Sequence, residues 1–125
     1  MKLDGEKPIF MQLAEGLEDS ILAGAYKEET QIPSTTEISI VYKINPATAL
    51  KGINILVDDD IVYKKRGLGM FVKEGSVKKI MEKRKKTYYE SFVLPLIAEA
   101  SKLGLTKAEL IKMIERGVAN EQNRG

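Results

Sequence analysis

Apolar residues recur every three or four positions in the first part of the chain, from Phe10 to Leu22. This period predicts an amphipathic helix, and Gly24 supplies a stop signal just beyond it. The side of the helix that we expect to face a core consists of Phe10, Leu13, Ala14, Leu17, Ile21 and Leu22. Residues 28–31 are polar, and we expect a loop there.

A second, shorter helix has a clear start signal. Ser34 lies three residues before Glu37, which is the spacing of a capping box, in which each residue satisfies a backbone N–H of the other. The pattern predicts a helix from about Thr35 to Tyr42 that buries Ile38 and Val41.

A third helix follows after a short turn. Asn45 is a favoured capping residue, and Pro46 then stands at the first helical position, where a proline costs no hydrogen bond. We expect this helix to end at the acidic run 58–60. The residues that it should bury are Ala49, Ile53, Leu56 and Val57.

Two apolar runs then flank a basic turn. Ile61–Lys64 and Met70–Lys73 predict short strands, and Gly67 and Gly69 between them permit the positive φ angles of a tight turn. Two capped helices followed by a basic hairpin are typical of a winged helix-turn-helix, a fold that usually binds DNA.

The helical period returns after the hairpin and continues to Leu103. Pro95 lies inside this helix and predicts a kink, because it has no N–H to donate. Thr106 and Glu109 form a second capping box, which opens a last helix. We expect residues 119–125 to be frayed.

The apolar residues of the last two helices need a partner, because about 45 residues cannot enclose a core alone. We expect them to pack against a second copy of the chain; the alternative is that they pack back on the N-terminal domain. The predicted dimerisation residues are Tyr88, Tyr89, Phe92, Leu96, Ile97, Leu110 and Ile114. The fold class is thus mainly α with a small β-wing: a winged helix-turn-helix at residues 1–75 and a short two-helix dimerisation region at residues 76–125.

Composition removes several classes of function. The 125 residues include no cysteine and no histidine, which excludes disulfides and histidine-based catalysis and disfavours a transition-metal site. No pair of carboxylates has a spacing that suggests tuned acidity, so we expect neither an enzyme nor a cofactor. We find no secretion signal and no apolar run long enough to cross a bilayer, and we expect a cytoplasmic protein without a membrane partner.

Positive charge is unevenly distributed. Residues 1–76 contain 9 Lys and Arg against 12 Asp and Glu, whereas residues 77–125 contain 11 against 6. The acidic average of the first half argues against strong sequence-independent binding, but a local stripe of charge is a sufficient footprint for DNA. The basic residues of this half cluster at Lys43, Lys51, Lys64, Lys65, Arg66 and Lys73.

In a helix-turn-helix the second helix lies in the major groove, with its N-terminal residues on base edges. Lys51 would reach a phosphate or a guanine, Asn54 an adenine, and Arg66 at the wing tip a minor groove. The candidate DNA-binding residues are Ser34, Thr35, Thr36, Asn45, Ala47, Thr48, Lys51, Lys64, Lys65, Arg66 and Gly67. The alternative interpretation is that these polar residues and the hairpin turn are only solvated.

Residues 7–72 resemble the winged helix-turn-helix of the GntR family of bacterial transcription regulators. The matching segments are Pro8-Ile9-Phe10, Gln12-Leu13, Ile21-Leu22-Ala23-Gly24, Ile32-Pro33-Ser34, Asn45-Pro46-Ala47-Thr48-Ala49 and Arg66–Val72. The short tail, with Val93-Leu94-Pro95-Leu96, resembles the YtrA subfamily. Many family members carry arginine where this chain has Thr36, Pro46 and Leu50, so its set of base-reading residues differs.

The resemblance implies a homodimeric regulator, a repressor rather than an activator, that binds a pseudo-palindromic operator in double-stranded DNA. It also implies a link to an ABC-transporter operon, since members of the subfamily often lie beside such genes. The tail is too short for an enclosed ligand pocket of the usual size, and the effector is unknown. A second hypothesis is a protein-interaction module that uses the winged fold without specific DNA binding.

Overall fold

The computed structural model describes residues 6–124, which are mostly helical and include one small antiparallel sheet. The expected fold class, mainly α with a small β-wing, is confirmed. The elements are α1 (Ile9–Leu22), α2 (Thr35–Tyr42), α3 (Pro46–Asp58), β1 (Val62–Lys65), β2 (Gly69–Val72), α4 (Ser76–Tyr88), a π-helical turn (Tyr89–Val93), α5 (Leu94–Lys102) and α6 (Lys107–Asn123). The chain divides into two compact units, one up to Lys83 and one from Arg84 onward.

The core of the first unit forms where α1 and α2 pack against α3. At Gly52 a Cβ atom would lie 2.9 Å from Leu13 Cδ2 and 2.9 Å from the Phe10 carbonyl oxygen, so glycine permits the close approach of α1 and α3. The core contains most of the residues that the helical period predicts, among them Leu13, Ala14, Leu17, Ile21, Ile38, Ala49, Ile53 and Leu56.

Two of the predicted core residues are exposed instead. Val41 is 69% exposed and Val57 is 38% exposed, so both predictions were wrong. The buried side of α2 follows Ile38 and Tyr42, and at 100° per residue Val41 lies outside that stripe. Val57 lies at the margin of the buried side of α3, in its last turn.

The wing is a hairpin in which Val62 pairs with Val72 and Lys65 with Gly69. The strands are displaced by one residue from their expected positions. Residues 29–32 also pair with β2: the Ile32 N–H donates to the Met70 carbonyl at 2.9 Å. Residues 28–31 form the expected polar loop, with an isolated bridge from Gln31 to Phe71. The pairing of this loop with β2 was not predicted, because a contact with a distant strand leaves no pattern in the local sequence.

The first turns of α4 belong to the first unit. Ile80 is fully buried in its core, and the Ser76 hydroxyl lies 2.6 Å from the carbonyl oxygens of both Ile61 and Lys73. The compact unit thus extends beyond residue 75, to Lys83. The division into a DNA-binding and a dimerisation domain remains a prediction.

The second unit consists of the end of α4, the π-helical turn, α5 and α6. The Leu94 N–H donates to the Tyr89 carbonyl, five residues back, and Pro95 follows at once. A π-helical turn, a rare adjustment within helices, thus precedes the proline; the kink expected at Pro95 stays a prediction. Helix α6 continues to Asn123, so the expected fraying was wrong for the residues described; Gly125, like residues 1–5, lies outside them.

Candidate nucleic-acid interface

The turn between α2 and α3 is held by local contacts. Lys43 ends α2 with a φ of 53°, in the left-handed region. The Ser39 hydroxyl donates to the Ile44 carbonyl at 2.7 Å. These contacts set the geometry at which the second helix leaves the first.

Both helices begin with the predicted caps. The Ser34 hydroxyl oxygen accepts the Glu37 N–H at 3.0 Å, and the Glu37 carboxylate accepts the Ser34 N–H at 3.1 Å. The Asn45 side-chain oxygen accepts the Ala47 N–H at 2.8 Å. Each cap uses an acceptor, so the hydroxyl hydrogen of Ser34 and the NH2 group of Asn45 are left as donors to a ligand.

One side of α3 is exposed and carries the residues expected to read DNA. Ala47, Lys51 and Asn54 follow one another at helical spacing on the side opposite the buried Ala49 and Ile53. Thr48 is half-buried. At the start of α2, Ser34 and Thr36 are exposed and Thr35 is half-buried.

Lys51 has a partner that its sequence neighbourhood does not reveal. Its ammonium lies 4.1 Å from the centre of the Phe10 ring, in the geometry of a cation–π contact. Phe10, which we expected to face the core, is only half-buried, and its ring supports Lys51. The two residues are far apart in sequence, and the helical period of α1 identifies Phe10 only as apolar.

The three basic residues of the wing differ in exposure and in their contacts. Lys64 and Arg66 are exposed, as is Gly67. Lys65 lies against the aromatic side of the hairpin, with its ammonium 4.2 Å from the centre of the Phe71 ring and 5.8 Å from that of Tyr63. Lys64 and Lys65 alternate across the strand, so they point to opposite faces.

Gln31 supports the wing from outside the hairpin. Its amide donates to the Leu68 carbonyl at 2.7 Å. A Cβ atom at Gly69, which has a φ of 121°, would lie 2.5 Å from the same amide nitrogen. The polar composition of residues 28–31 predicts a loop at Gln31 and does not indicate its contact with the wing.

Lys73 does not belong to the exposed positive stripe. Its ammonium pairs with Asp60 at 2.6 Å, and Lys79 pairs with the same carboxylate at 2.5 Å. Hydrogen bonds from Lys73 and Lys79 lower the pKa of Asp60 to about 2. The acidic end of α3 thus holds lysines of the following segments.

Lys83 on α4 also forms ion pairs with acidic residues of the first unit. It pairs with the buried Glu18 at 2.5 Å and with Asp59 at 2.7 Å. Burial lowers the pKa of Lys83, and its hydrogen bonds with Asp59 and Glu18 outweigh this effect, so the net shift is upward. Lys83 therefore serves the fold of the first unit.

The second unit exposes much apolar surface. The rings of Tyr88 and Phe92, 61% and 63% exposed, have centres 5.2 Å apart. Among the described residues of this unit, the only buried hydrophobic side chain is Ala100. Of the predicted dimerisation residues, Leu110 is half-buried; the exposed ones are Tyr88, Tyr89, Phe92, Leu96, Ile97 and Ile114.

Within residues 6–124, no three acidic side chains are grouped so that they could hold a metal ion. None of the described helices is both long and apolar enough to cross a membrane.

Two capped helices across a short turn, an exposed polar side on the second and a basic antiparallel hairpin define a winged helix-turn-helix of the DNA-binding class. A solved structure of similar sequence has the same fold. A crystal structure described as a GntR-family transcriptional regulator from Bacteroides thetaiotaomicron is 30% identical, with a TM-score of 0.78 over 91% of this chain and 99% of that one. This chain belongs to the GntR family of transcriptional regulators.

Two relatives of similar sequence are also named as transcriptional regulators. The helix-turn-helix-type transcriptional regulator YhcF of Bacillus subtilis, named as uncharacterized, is 28% identical over 91% of this chain and 93% of its own length. The transcriptional repressor YtrA of the same organism is 26% identical over 86% of this chain and 82% of its own. The resemblance to YtrA is thus confirmed. No family model matches the chain.

Proposed function

We propose that the protein is a homodimer that binds a pseudo-palindromic operator and regulates transcription by sequence-specific recognition. One observation carries this proposal: a single compact unit contains both the exposed side of α3, with Ala47 and Lys51, and an exposed wing tip, with Lys64 and Arg66. The first would read base edges in a major groove, and the second would bind phosphates or a minor groove.

The dimer is supported by the exposed apolar surface of the second unit. Leu96 is 44% exposed and Ile97 is 49% exposed. Complete burial of an exposed side chain of this size contributes about 1.5–3 kcal/mol, and with roughly half of its surface still exposed each can add about 1 kcal/mol. Several of them together supply a driving force for association. Two-fold symmetry then places two α3 helices on half-sites about one helical turn apart.

Similarity to the YtrA repressor favours repression, by occupation of an operator. Control of an ABC-transporter operon is the corresponding hypothesis for the target. A promoter fusion to the operon that lies beside the gene tests both: deletion of the gene should raise expression. Lower expression in the deletion strain would identify an activator.

The DNA-binding proposal is tested by selecting duplexes from a randomised library with the full chain and measuring affinity against salt concentration. Arg66→Ala should weaken binding and reduce the salt slope by about one unit, because one phosphate contact is lost. Lys27→Ala, which removes an exposed lysine that belongs neither to α3 nor to the wing strands, is the matched control. Failure to enrich any sequence would favour the alternative, a protein-interaction module.

The dimer is tested by sedimentation of Leu96→Asp, which we expect to be monomeric and to lose operator affinity. Ile40→Asp is the control, because Ile40 is 70% exposed but lies on α2, outside the proposed interface. A wild-type chain that sediments as a monomer at micromolar concentration would refute the dimer.

A further inference from the structure

The tip of the wing, residues 66–68, is exposed to water. Leu68 is 64% exposed, and Arg66 and Gly67 are exposed as well. Within the hairpin, the Leu68 N–H donates to the Lys65 carbonyl at 2.9 Å. A single turn bond in contact with water adds little order, because water competes for both groups. A contact from outside the hairpin therefore has a large influence on how well the tip is ordered.

The segment that contains Gln31 is paired with β2 through its backbone. The Ile32 N–H donates to the Met70 carbonyl at 2.9 Å, and the Thr30 carbonyl accepts a second N–H of β2 at 2.9 Å. These bonds lie on either side of Gln31 and fix its backbone beside the strand. They end at Met70, whereas Leu68 lies beyond them, in the turn.

The side chain of Gln31 continues from this fixed backbone to the tip. Its amide donates to the Leu68 carbonyl at 2.7 Å. On the way it passes over Gly69, where a Cβ atom would lie 2.5 Å from the amide nitrogen. Because the backbone of Gln31 is already ordered, forming this bond restricts only side-chain torsions. Gln31 thus joins the ordered part of the first unit to the exposed turn of the wing.

We propose that Gln31 is a positioning residue, which holds the wing tip in its DNA-binding geometry before DNA is bound. This inference rests on the proposed function, in which Arg66 contacts DNA. A tip that is already ordered loses less conformational freedom on binding, so more of the Arg66 contact appears as affinity. One hydrogen bond of this kind corresponds to a change of about 3–10-fold in an equilibrium constant.

The experiment measures binding of the full chain to duplexes that the wild type selects from a randomised library, at several salt concentrations. Gln31→Met keeps the length of the side chain and removes the donor. We expect affinity to fall about 3–10-fold. The salt slope should stay that of the wild type, because Arg66 still reaches its phosphate once the tip is ordered. A slope reduced by about one unit, as expected for Arg66→Ala, would overturn the inference.

A double-mutant cycle with Arg66 separates positioning from a direct contact. In the Arg66→Ala background, Gln31→Met should cost less than about twofold, because the tip then has no arginine to position. An equal loss in both backgrounds would show that Gln31 acts on DNA independently of the tip, and it would overturn the inference.

Thr30→Val is the matched control in the same segment. The Thr30 hydroxyl donates to the Lys27 carbonyl at 2.6 Å, so the variant also loses a bond from a side chain to a backbone carbonyl. That bond stays within the loop and does not reach the wing. DNA affinity of Thr30→Val should equal that of the wild type. A loss as large as that of Gln31→Met would assign the effect to the loop as a whole and overturn the inference.

Nitrogen-15 relaxation of the free chain tests the inference without DNA. In Gln31→Met, the order parameters of the Gly67 and Leu68 amides should fall from about 0.85 to below about 0.6. Met70 should be unchanged, since its carbonyl still accepts the Ile32 N–H. Unchanged order at Leu68 would overturn the inference. If the wild type selects no duplex, the proposed function fails, and relaxation then decides by itself whether Gln31 holds the tip.

Discussion

Substitution of Gly52 by alanine tests the close approach of α1 and α3 in the first unit. The new methyl group would lie 2.9 Å from the Phe10 carbonyl oxygen and 2.9 Å from Leu13 Cδ2. The leucine side chain can adjust, but the carbonyl belongs to the backbone of α1, so the helices must separate. Overpacking of this kind costs about 1–3 kcal/mol, whereas alanine gains about 1 kcal/mol over glycine in helix propensity.

The net loss for Gly52→Ala is therefore up to about 2 kcal/mol, which lowers the melting temperature by up to about 15 °C for a unit of this size. Chemical denaturation followed by far-UV circular dichroism measures the change in the free energy of unfolding. Gly117→Ala is the matched control, because nothing lies within 4 Å of a Cβ atom at Gly117 in α6. It should be neutral or stabilising. If both substitutions stabilise, the close approach of α1 and α3 is not a constraint, and the packing argument is wrong.

The other predictions concern a carboxylate and a helix cap. In Asp60→Asn we expect lower stability at pH 7 and a smaller loss between pH 5 and pH 2. The folded pKa of Asp60, about 2, is below its ordinary value of 3.8, so its contribution is present above the ordinary pKa and is lost as the pH falls towards 2. Asparagine is chosen because it tolerates the left-handed backbone of residue 60. Melting curves of the wild type and the variant are measured across this pH range, and a parallel loss of stability in both proteins would contradict the reasoning. Asn45→Ala removes the cap of α3 and should cost about 1 kcal/mol in denaturation; Asn45→Asp keeps the cap, and equal losses in both variants would exclude capping as the cause.

The sequence predicted best those features that depend on neighbours within four residues. The capping boxes of Ser34 and Thr106 form as expected, and α2 has its predicted bounds. Each box joins residues three apart, so the local sequence contains both partners. The hydrophobic period also identified the core, except where a residue such as Val41 lies just beside the buried stripe.

Features that depend on distant partners could not be predicted. Glu28 and Gln31 stand in a polar segment whose composition indicates a loop, yet they contact α4 and the wing. An acidic run at a helix C-terminus is unfavourable for the helix dipole; at the end of α3 this charge is offset by Lys73, Lys79 and Lys83, which pair with Asp59 and Asp60. The spacing of these residues in sequence contains no information about which of them meet.

The contacts of the basic residues change how DNA affinity must arise. Lys73 is neutralised by Asp60, while Lys51 and Lys65 rest on aromatic rings. An exposed cation–π contact is worth only about 0.5–1 kcal/mol, so it orients these two lysines without preventing them from reaching a phosphate. One unit still offers few cations within an acidic half-chain, and each phosphate contact that it lacks weakens binding. We therefore propose that specific affinity depends on two units acting together, joined through the exposed apolar surface of the tail that includes Phe92 and Leu96.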